Sequence, residues 1–255
     1  MTIARDGNRA TPSRVAVVTG ASRGIGAATA LELARRGWDL CVGYVRDVDA
    51  AEAVVSGCRD LGRHARAIQG DVGRGEDIVR LFEAADEVGP LDVLVNNAAY
   101  LPPPTLLDAL DDADVHRIFA VNAIGPLLCA REAARRMRAR GGGLIVNVSS
   151  IGARTGAPNG HVNYAATKGA LESMTIGLAK ELAPHGIRVN AVRPGAVDTE
   201  MQTIAGDEAH AASKASEAPI GRAGRPEEIA QTIAWLCSDE SSFVVGAVID
   251  VTGGR

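Results

Sequence analysis

Aromatic side chains are scarce in this 255-residue chain, with three Phe, three Tyr and two Trp. That scarcity argues against an aromatic-cored sandwich and for helices packed closely on a Val/Ala/Ile-rich sheet. The four cysteines, Cys41, Cys58, Cys129 and Cys237, are widely separated and include no C-x-x-C pair. A disulfide framework or a zinc site is therefore not expected, and Cys41 and Cys237 read as buried free thiols in apolar surroundings. Excess positive charge is missing too. The formal net charge is −4 with both signs interspersed, so no nucleic-acid footprint is expected. No apolar run approaches the ~18 residues of a membrane span. The leader MTIARDGNRATPSR has no apolar core of the kind a secretory signal needs. Residues 1–13 read as a disordered tail, residues 14–255 as a single domain, and the expected setting is a reducing cytoplasm without membrane partners.

What is present is alternation. Short apolar runs begin at Val15, Asp39, His64, Leu91, Gly143, Ile187 and Val244, the last read as a strand VVGAVIDV. Most are rich in Val and Ile throughout, as expected for parallel strands covered on both faces. Helical stretches separate them. GIGAATALELARRG stops at Gly37 behind two arginines, and RPEEIAQTIAWLCSD starts with Pro226 followed by acids. Strict alternation predicts an α/β fold: one Rossmann-type, doubly wound parallel sheet of about seven strands with helices on both faces. The segment from Met201 to Ile220 has weak periodicity and suits either a lid or a surface helix pair.

Three local patterns carry chemistry. TGASRGIG at 19–26 places Gly20, Gly24 and Gly26 between the first strand and first helix, where backbone can approach an anion at a helix N-terminus. HVNYAATKGAL at 161–171 sets Tyr164 and Lys168 four apart, on one face of a helix. FAVNAIGPLLCA reads as a long helix interrupted by Pro126, which has no N–H to give the carbonyl of Asn122. A kink is expected there.

TGASRGIG, NNAA at 96–99 and YAATK at 164–168, in that order, resemble the short-chain dehydrogenase/reductase family. GRAGRPEEIA at 221–230 and FVVGAVIDVTGG at 243–254 resemble its C-terminal part, so the likeness runs from about Arg14 to the end. The resemblance implies hydride transfer between a nicotinamide and a carbonyl or alcohol carbon. Tyr164 would be the general acid or base, its phenol lowered from ~10 by the nearby Lys168 cation. Lys168 would also hold the nicotinamide ribose, Ser150 would bind the substrate oxygen, and Asn122 would anchor a proton-relay water. Ser149 would point away from Ser150. Cofactor contacts are implied for Gly20, Ser22, Arg23, Gly24, Ile25 and Gly26 in the loop and for Asp71 and Val72 near the adenine. They are implied as well for Asn97, Ala98 and Ala99 beside the ribose, and for Pro194, Gly195, Val197 and Thr199 at the nicotinamide end. Ala99 departs from the family's usual glycine. Asp71 has the alternative role of capping the following helix.

Arg23 in the loop and Arg46 after the second strand favour the 2′-phosphate of NADP(H), with NAD(H) possible. Asp47 complicates this, but D-V-D-A-A-E at 47–52 resembles a helix start with Asp49 and Glu52 as a capping pair. The expected activity is that of a 3-oxoacyl (carrier-protein or CoA) reductase. The alternatives are a sugar or secondary-alcohol dehydrogenase, or a cofactor-sensing regulator without turnover. Substrate choice would rest on residues 100–104, 155–161 and 201–220. His161 is expected on a solvated loop, and the resemblance implies a homotetramer.

Overall fold

The computed structural model describes residues 14–201 and 217–255. The tail expected over residues 1–13, and most of the expected lid segment, lie outside the described residues. Seven strands form one parallel sheet: β1 (Val15–Val18), β2 (Asp39–Tyr44), β3 (Ala65–Gln69), β4 (Leu91–Asn96), β5 (Gly143–Val148), β6 (Ile187–Pro194) and β7 (Val248–Val251). Their order is β3-β2-β1-β4-β5-β6-β7. The chain winds outward in one direction from β1 and then returns to lay β4 on its other side. That reversal opens a crevice between the carboxyl ends of β1 and β4, where such sheets bind ligands.

Helices α1 (Gly24–Arg35), α2 (Val48–Asp60) and α8 (Pro226–Leu236) cover one face of the sheet, and α3 (Gly75–Asp86), α5 (Gly125–Arg140) and α7 (Val162–Leu182) cover the other. The pleat explains the division. Ala16 and Val18 of β1 point into the first apolar layer with Leu33, Val55 and Ile233, while Val15 and Val17 enter the second with Phe82, Met137 and Leu182. All four β1 residues are fully buried, which is why the strand is apolar without alternation. The edge strand β3 differs, with Ala65 and Ile68 buried but Arg66 and Gln69 exposed along ARAIQ. Each fully buried Leu, Ile or Phe contributes about 1.5–3 kcal/mol relative to exposure.

The remaining helices are α4 (Asp112–Phe119) and the single-turn α6 (Gly152–Thr155). The expected long helix around Asn122 is broken. A π turn at Ala120–Ile124 joins α4 to α5, and Gly125 N donates to the Ala120 carbonyl five residues back. Pro126 at the start of α5 supplies the cause, because the ladder must widen where a donor is lost. The last strand is also shorter than VVGAVIDV. Val244 N bonds to the Ser241 carbonyl and Gly246 has φ +75°, so the strand proper begins only at Val248, although Gly246 N and the Ala247 carbonyl already bond to β6 at Val189 and Ala191.

The start of α2 corrects the expected capping pair. Asp47 is the N-cap, its Oδ1 accepting from Ala50 N at 3.0 Å, while Asp49 only lends charge to the first turn. Asp47→Ala should therefore lower unfolding free energy by about 1 kcal/mol in urea titration, with Asp49→Ala costing a few tenths at most. Equal costs would contradict this assignment.

Candidate active site

The glycine loop after β1 is held by a residue the sequence did not single out. Thr19, almost fully buried, accepts at Oγ1 from Asn97 N and Ala98 N, both at 3.0 Å. The Asn97 amide nitrogen donates to the Thr19 and Gly20 carbonyls, both at 2.9 Å. Asn97 therefore clamps the loop, and its amide nitrogen is not available to a ribose. Gly20 and Gly24 have φ of +61° and +53°, conformations that only glycine adopts without strain. A β-carbon at Gly26 would collide with the Gly20 carbonyl and the Asn97 amide. Arg23, the N-cap of α1, makes no side-chain cap bond, so the first N–H groups of α1 face the loop uncapped. Ser22, Gly24 and Ile25 are partly exposed there and Gly26 is buried. Ser22, Arg23, Gly24, Asp47 and Asp198 border an open groove of about 590 Å³.

Arg23 borders this groove and Arg46 immediately precedes Asp47; both are exposed, and neither forms an ion pair among the described residues. Asp47, the acid that clouded the choice between NAD and NADP, is bonded into the cap of α2. Asp71 does not cap the next helix, whose N-cap is Arg74. Its carboxylate instead closes a turn onto Gly73 N at 2.8 Å and pairs with Arg117 of α4 at 2.8 Å. Val72 is buried, and its carbonyl lies so near Gly125 that a β-carbon there would clash. Ala98 lies against Gly20, and Ala99 is partly exposed at the crevice.

On the opposite side of the crevice, the end of β5 meets α7. The Ser150 hydroxyl accepts from Gly152 N at 3.1 Å and faces the half-buried Tyr164 phenol. Lys168, 2% exposed, donates from Nζ to the Val148 carbonyl at 2.8 Å, with its ammonium 5.6 Å from the centre of the Tyr164 ring. Burial pushes the Tyr164 phenol up to about 12, against an opposing pull from the Ser150 hydrogen bond. Burial also pushes Lys168 down to about 8. The expected lowering of the phenol by the lysine is thus not found. The ammonium is turned to a backbone carbonyl, and desolvation governs both groups.

Asn122 is fully buried in the π turn and exchanges two bonds with Tyr100. Tyr100 N donates to its Oδ1 at 2.7 Å, and its Nδ2 donates to the Tyr100 carbonyl at 2.9 Å. A longer bond at 3.4 Å reaches Thr167, next to Lys168. The π turn therefore brings Asn122 between the segment after β4 and the tyrosine–lysine helix. His161, expected on a solvated loop, is buried as the N-cap of α7.

Past β6, the Pro194 carbonyl accepts from Ile151 N at 2.8 Å, tying this strand to the residue after Ser150. Gly195 packs so closely on Thr252 that a β-carbon would overlap its backbone. Val197 bridges to Gly224, and the Thr199 methyl lies against Gly24. All the residues singled out from the sequence line the carboxyl edge of β1, β4, β5 and β6, except Arg46, Asp71 and Val72, which follow β2 and β3 on the same edge.

A family model described as "Enoyl-(Acyl carrier protein) reductase" matches residues 20–255. Over 245 residues the chain is 42% identical to the uncharacterized oxidoreductase YgfF of Escherichia coli (strain K12), covering 94% of this chain and 99% of the relative. It is 45% identical over 243 residues to a cis-4-hydroxycyclohexanecarboxylate dehydrogenase of Sinomonas cyclohexanicum, covering 94% and 96%. A 3-oxoacyl-[acyl-carrier-protein] reductase of Staphylococcus aureus (strain N315) is 36% identical over 243 residues, covering 95% and 98%. The crystal structure of a short chain dehydrogenase from Burkholderia cenocepacia J2315 in complex with NADP superposes with a TM-score of 0.89 at 36% identity, covering 95% and 98%. The chain belongs to the short-chain dehydrogenase/reductase family.

As a short-chain dehydrogenase/reductase it is an NAD(P)-dependent oxidoreductase. The loop at the start of α1 fits the phosphates of a dinucleotide on this chain's own features: two left-handed glycines, an uncapped helix start and the exposed Arg23. No helix among the described residues is long and apolar enough to cross a membrane. Because burial disfavours the phenolate, Tyr164 should hold its proton through neutral pH and beyond. An ultraviolet difference titration of wild type against Tyr164→Phe should show no ionisation of this phenol below pH ~10. A midpoint near 7 would contradict it.

Proposed function

We propose that this short-chain dehydrogenase/reductase reduces a ketone to a secondary alcohol with NADPH, Tyr164 being the proton donor and Ser150 the partner that holds the substrate oxygen. The observation that supports this reading best is Tyr164 set against Ser150 and the buried Lys168, a setting whose desolvation favours the neutral phenol. A neutral phenol donates a proton, and reduction of a carbonyl requires a donor at the oxygen that becomes a hydroxyl. Alcohol oxidation would need the phenolate, which this setting disfavours.

Bound NADPH supplies the hydride. The protein's part is orientation, proton supply and exclusion of water. Ser150 Oγ accepts from Gly152 N, which leaves its hydroxyl proton to be shared between Tyr164 and a substrate oxygen. Lys168, fixed by Val148, lies beside the phenol as the group that can return its proton. Asn122 next to Thr167 extends the polar path toward Tyr100. NADPH over NADH is supported by Arg23 and Arg46, both exposed and without an ion pair among the described residues, and by the engagement of Asp47 in the helix cap.

A 3-oxoacyl thioester is the first substrate class, supported by the full-length relationship to a 3-oxoacyl-[acyl-carrier-protein] reductase. A second reading, a cyclic secondary alcohol and its ketone, is favoured by the higher identity to the cis-4-hydroxycyclohexanecarboxylate dehydrogenase. The homotetramer and the cytoplasmic setting that the family resemblance suggests belong to this same proposal. NADPH oxidation should be followed with acetoacetyl-CoA and with 4-oxocyclohexanecarboxylate. At least one should be turned over, with Tyr164→Phe slower by about 10²–10⁴-fold and Arg46→Ala losing preference for NADPH over NADH. Equal rates for wild type and Tyr164→Phe would overturn the assignment of the proton donor. Turnover of the cyclic ketone alone would replace the thioester reading with the second.

A further inference from the structure

The tyrosine–lysine helix carries a third polar group in the same line. Tyr164, Lys168 and Glu172 recur every four residues along α7, so one face presents phenol, ammonium and carboxylate in turn. The end of β5 meets each of them. The Val148 carbonyl takes Lys168, the Ser149 hydroxyl donates to Glu172 Oε1 at 2.6 Å, and Ser150 faces Tyr164. Ser149 thus points away from Ser150, as a continuing strand requires, yet reaches the same helix two turns on.

Glu172 is also gripped from β6. Arg193 donates from Nε to Oε1 at 2.8 Å and from Nη2 to Oε2 at 2.7 Å, and both side chains are only 15% exposed. The remaining nitrogen, Nη1, reaches Asp250 at 2.6 Å, on the β7 residue that faces Arg193 in the sheet register. Arg154 closes the chain onto the other Asp250 oxygen at 2.7 Å. The carboxylates of Glu172 and Asp250 raise the already high affinity of Arg193 for its proton, so the guanidinium stays charged. A pair this enclosed contributes little net stability once its desolvation is counted. What a two-pronged guanidinium contact fixes is distance and angle. Here it fixes them between the helix of Tyr164 and the strand that runs directly into Pro194 and Gly195.

We propose that Glu172 and Arg193 are positioning residues, a clamp that sets the spacing between the proton donor on α7 and the Pro194–Gly195 turn on the nicotinamide side of the site. This rests on the ketone-reductase reading above. The clamp does not touch the glycine loop, so its loss should act on turnover and leave dinucleotide affinity nearly intact.

The test compares Glu172→Gln, which keeps shape but loses charge, with Arg193→Lys, which keeps charge but loses the fork. Folding is read by thermal melting, NADPH affinity by fluorescence titration and kcat with whichever of acetoacetyl-CoA or 4-oxocyclohexanecarboxylate the wild type reduces. A misplacement of about 1 Å costs on the order of 10²-fold in rate, so kcat should fall at least about tenfold in both variants. The Kd for NADPH should change less than about threefold, because the other binding elements are intact. Glu172→Gln/Arg193→Met leaves no charge unpaired and guards against simple misfolding; the clamp predicts that it stays as slow as the single variants. Folded single variants with wild-type kcat, or recovery of kcat in the double variant, would overturn the clamp. Parallel loss of NADPH affinity and kcat would overturn it too, by showing general disruption. Tyr164→Phe run alongside separates the two levels: if it retains turnover the reductase reading itself fails, whereas an inactive Tyr164→Phe beside fully active clamp variants removes only the clamp.

Discussion

The structure turns on the placement of two ionisable groups between the end of β5 and the face of α7, Lys168 buried and Tyr164 half-buried. Each is displaced toward its neutral form by the loss of water, the phenol up to about 12 and the ammonium down to about 8. Groups in that position stay in place only if their polar atoms are satisfied. The Val148 carbonyl does this for Lys168 and the Ser150 hydroxyl faces the phenol, and both belong to a strand end fixed by the register of β4, β5 and β6. Seven parallel strands are thus the means by which two backbone positions, 148 and 150, meet two side chains one helical turn apart.

The same economy appears at the glycine loop and at the π turn. Thr19 and Asn97 join the segments after β1 and β4 across the point where strand order reverses, so the crevice has a fixed shape before any ligand arrives. Asn122 is drawn to Tyr100 by a helix that widens where Pro126 cannot donate. Both features place backbone and side-chain donors at one sheet edge, and both use bonds more than twenty residues apart in sequence.

Much of this was legible in the sequence because it is local. Apolar runs without alternation marked buried parallel strands, glycines marked the loop, and Tyr164 and Lys168 lay at helical spacing. Pro126 signalled a disturbed helix, though not that it would take the form of a π turn. What failed to show was long-range. Nothing in T-G-A-S-R-G announces that Thr19 is a hub, and the partners of the Asn97 amide, the carbonyls of residues 19 and 20, carry no sequence signature. The sign of the Tyr164 shift was misjudged for a related reason: spacing puts a cation near the phenol, but depth in the structure decides whether desolvation outweighs it. Asp47 and Asp49 are interchangeable in composition, and only backbone geometry separates the cap from its neighbour. Glu172 was visible at four residues beyond Lys168, but its meaning depends on Ser149 and Arg193, brought to it by two other strands.

The most direct test is a crystal structure of the protein with NADPH and a ketone that it reduces slowly. The account predicts the ketone oxygen within about 2.6–3.2 Å of both the Tyr164 and Ser150 hydroxyls, with Lys168 still on the Val148 carbonyl side of the phenol. A ketone oxygen held by other groups, with Tyr164 beyond hydrogen-bonding reach, would contradict it.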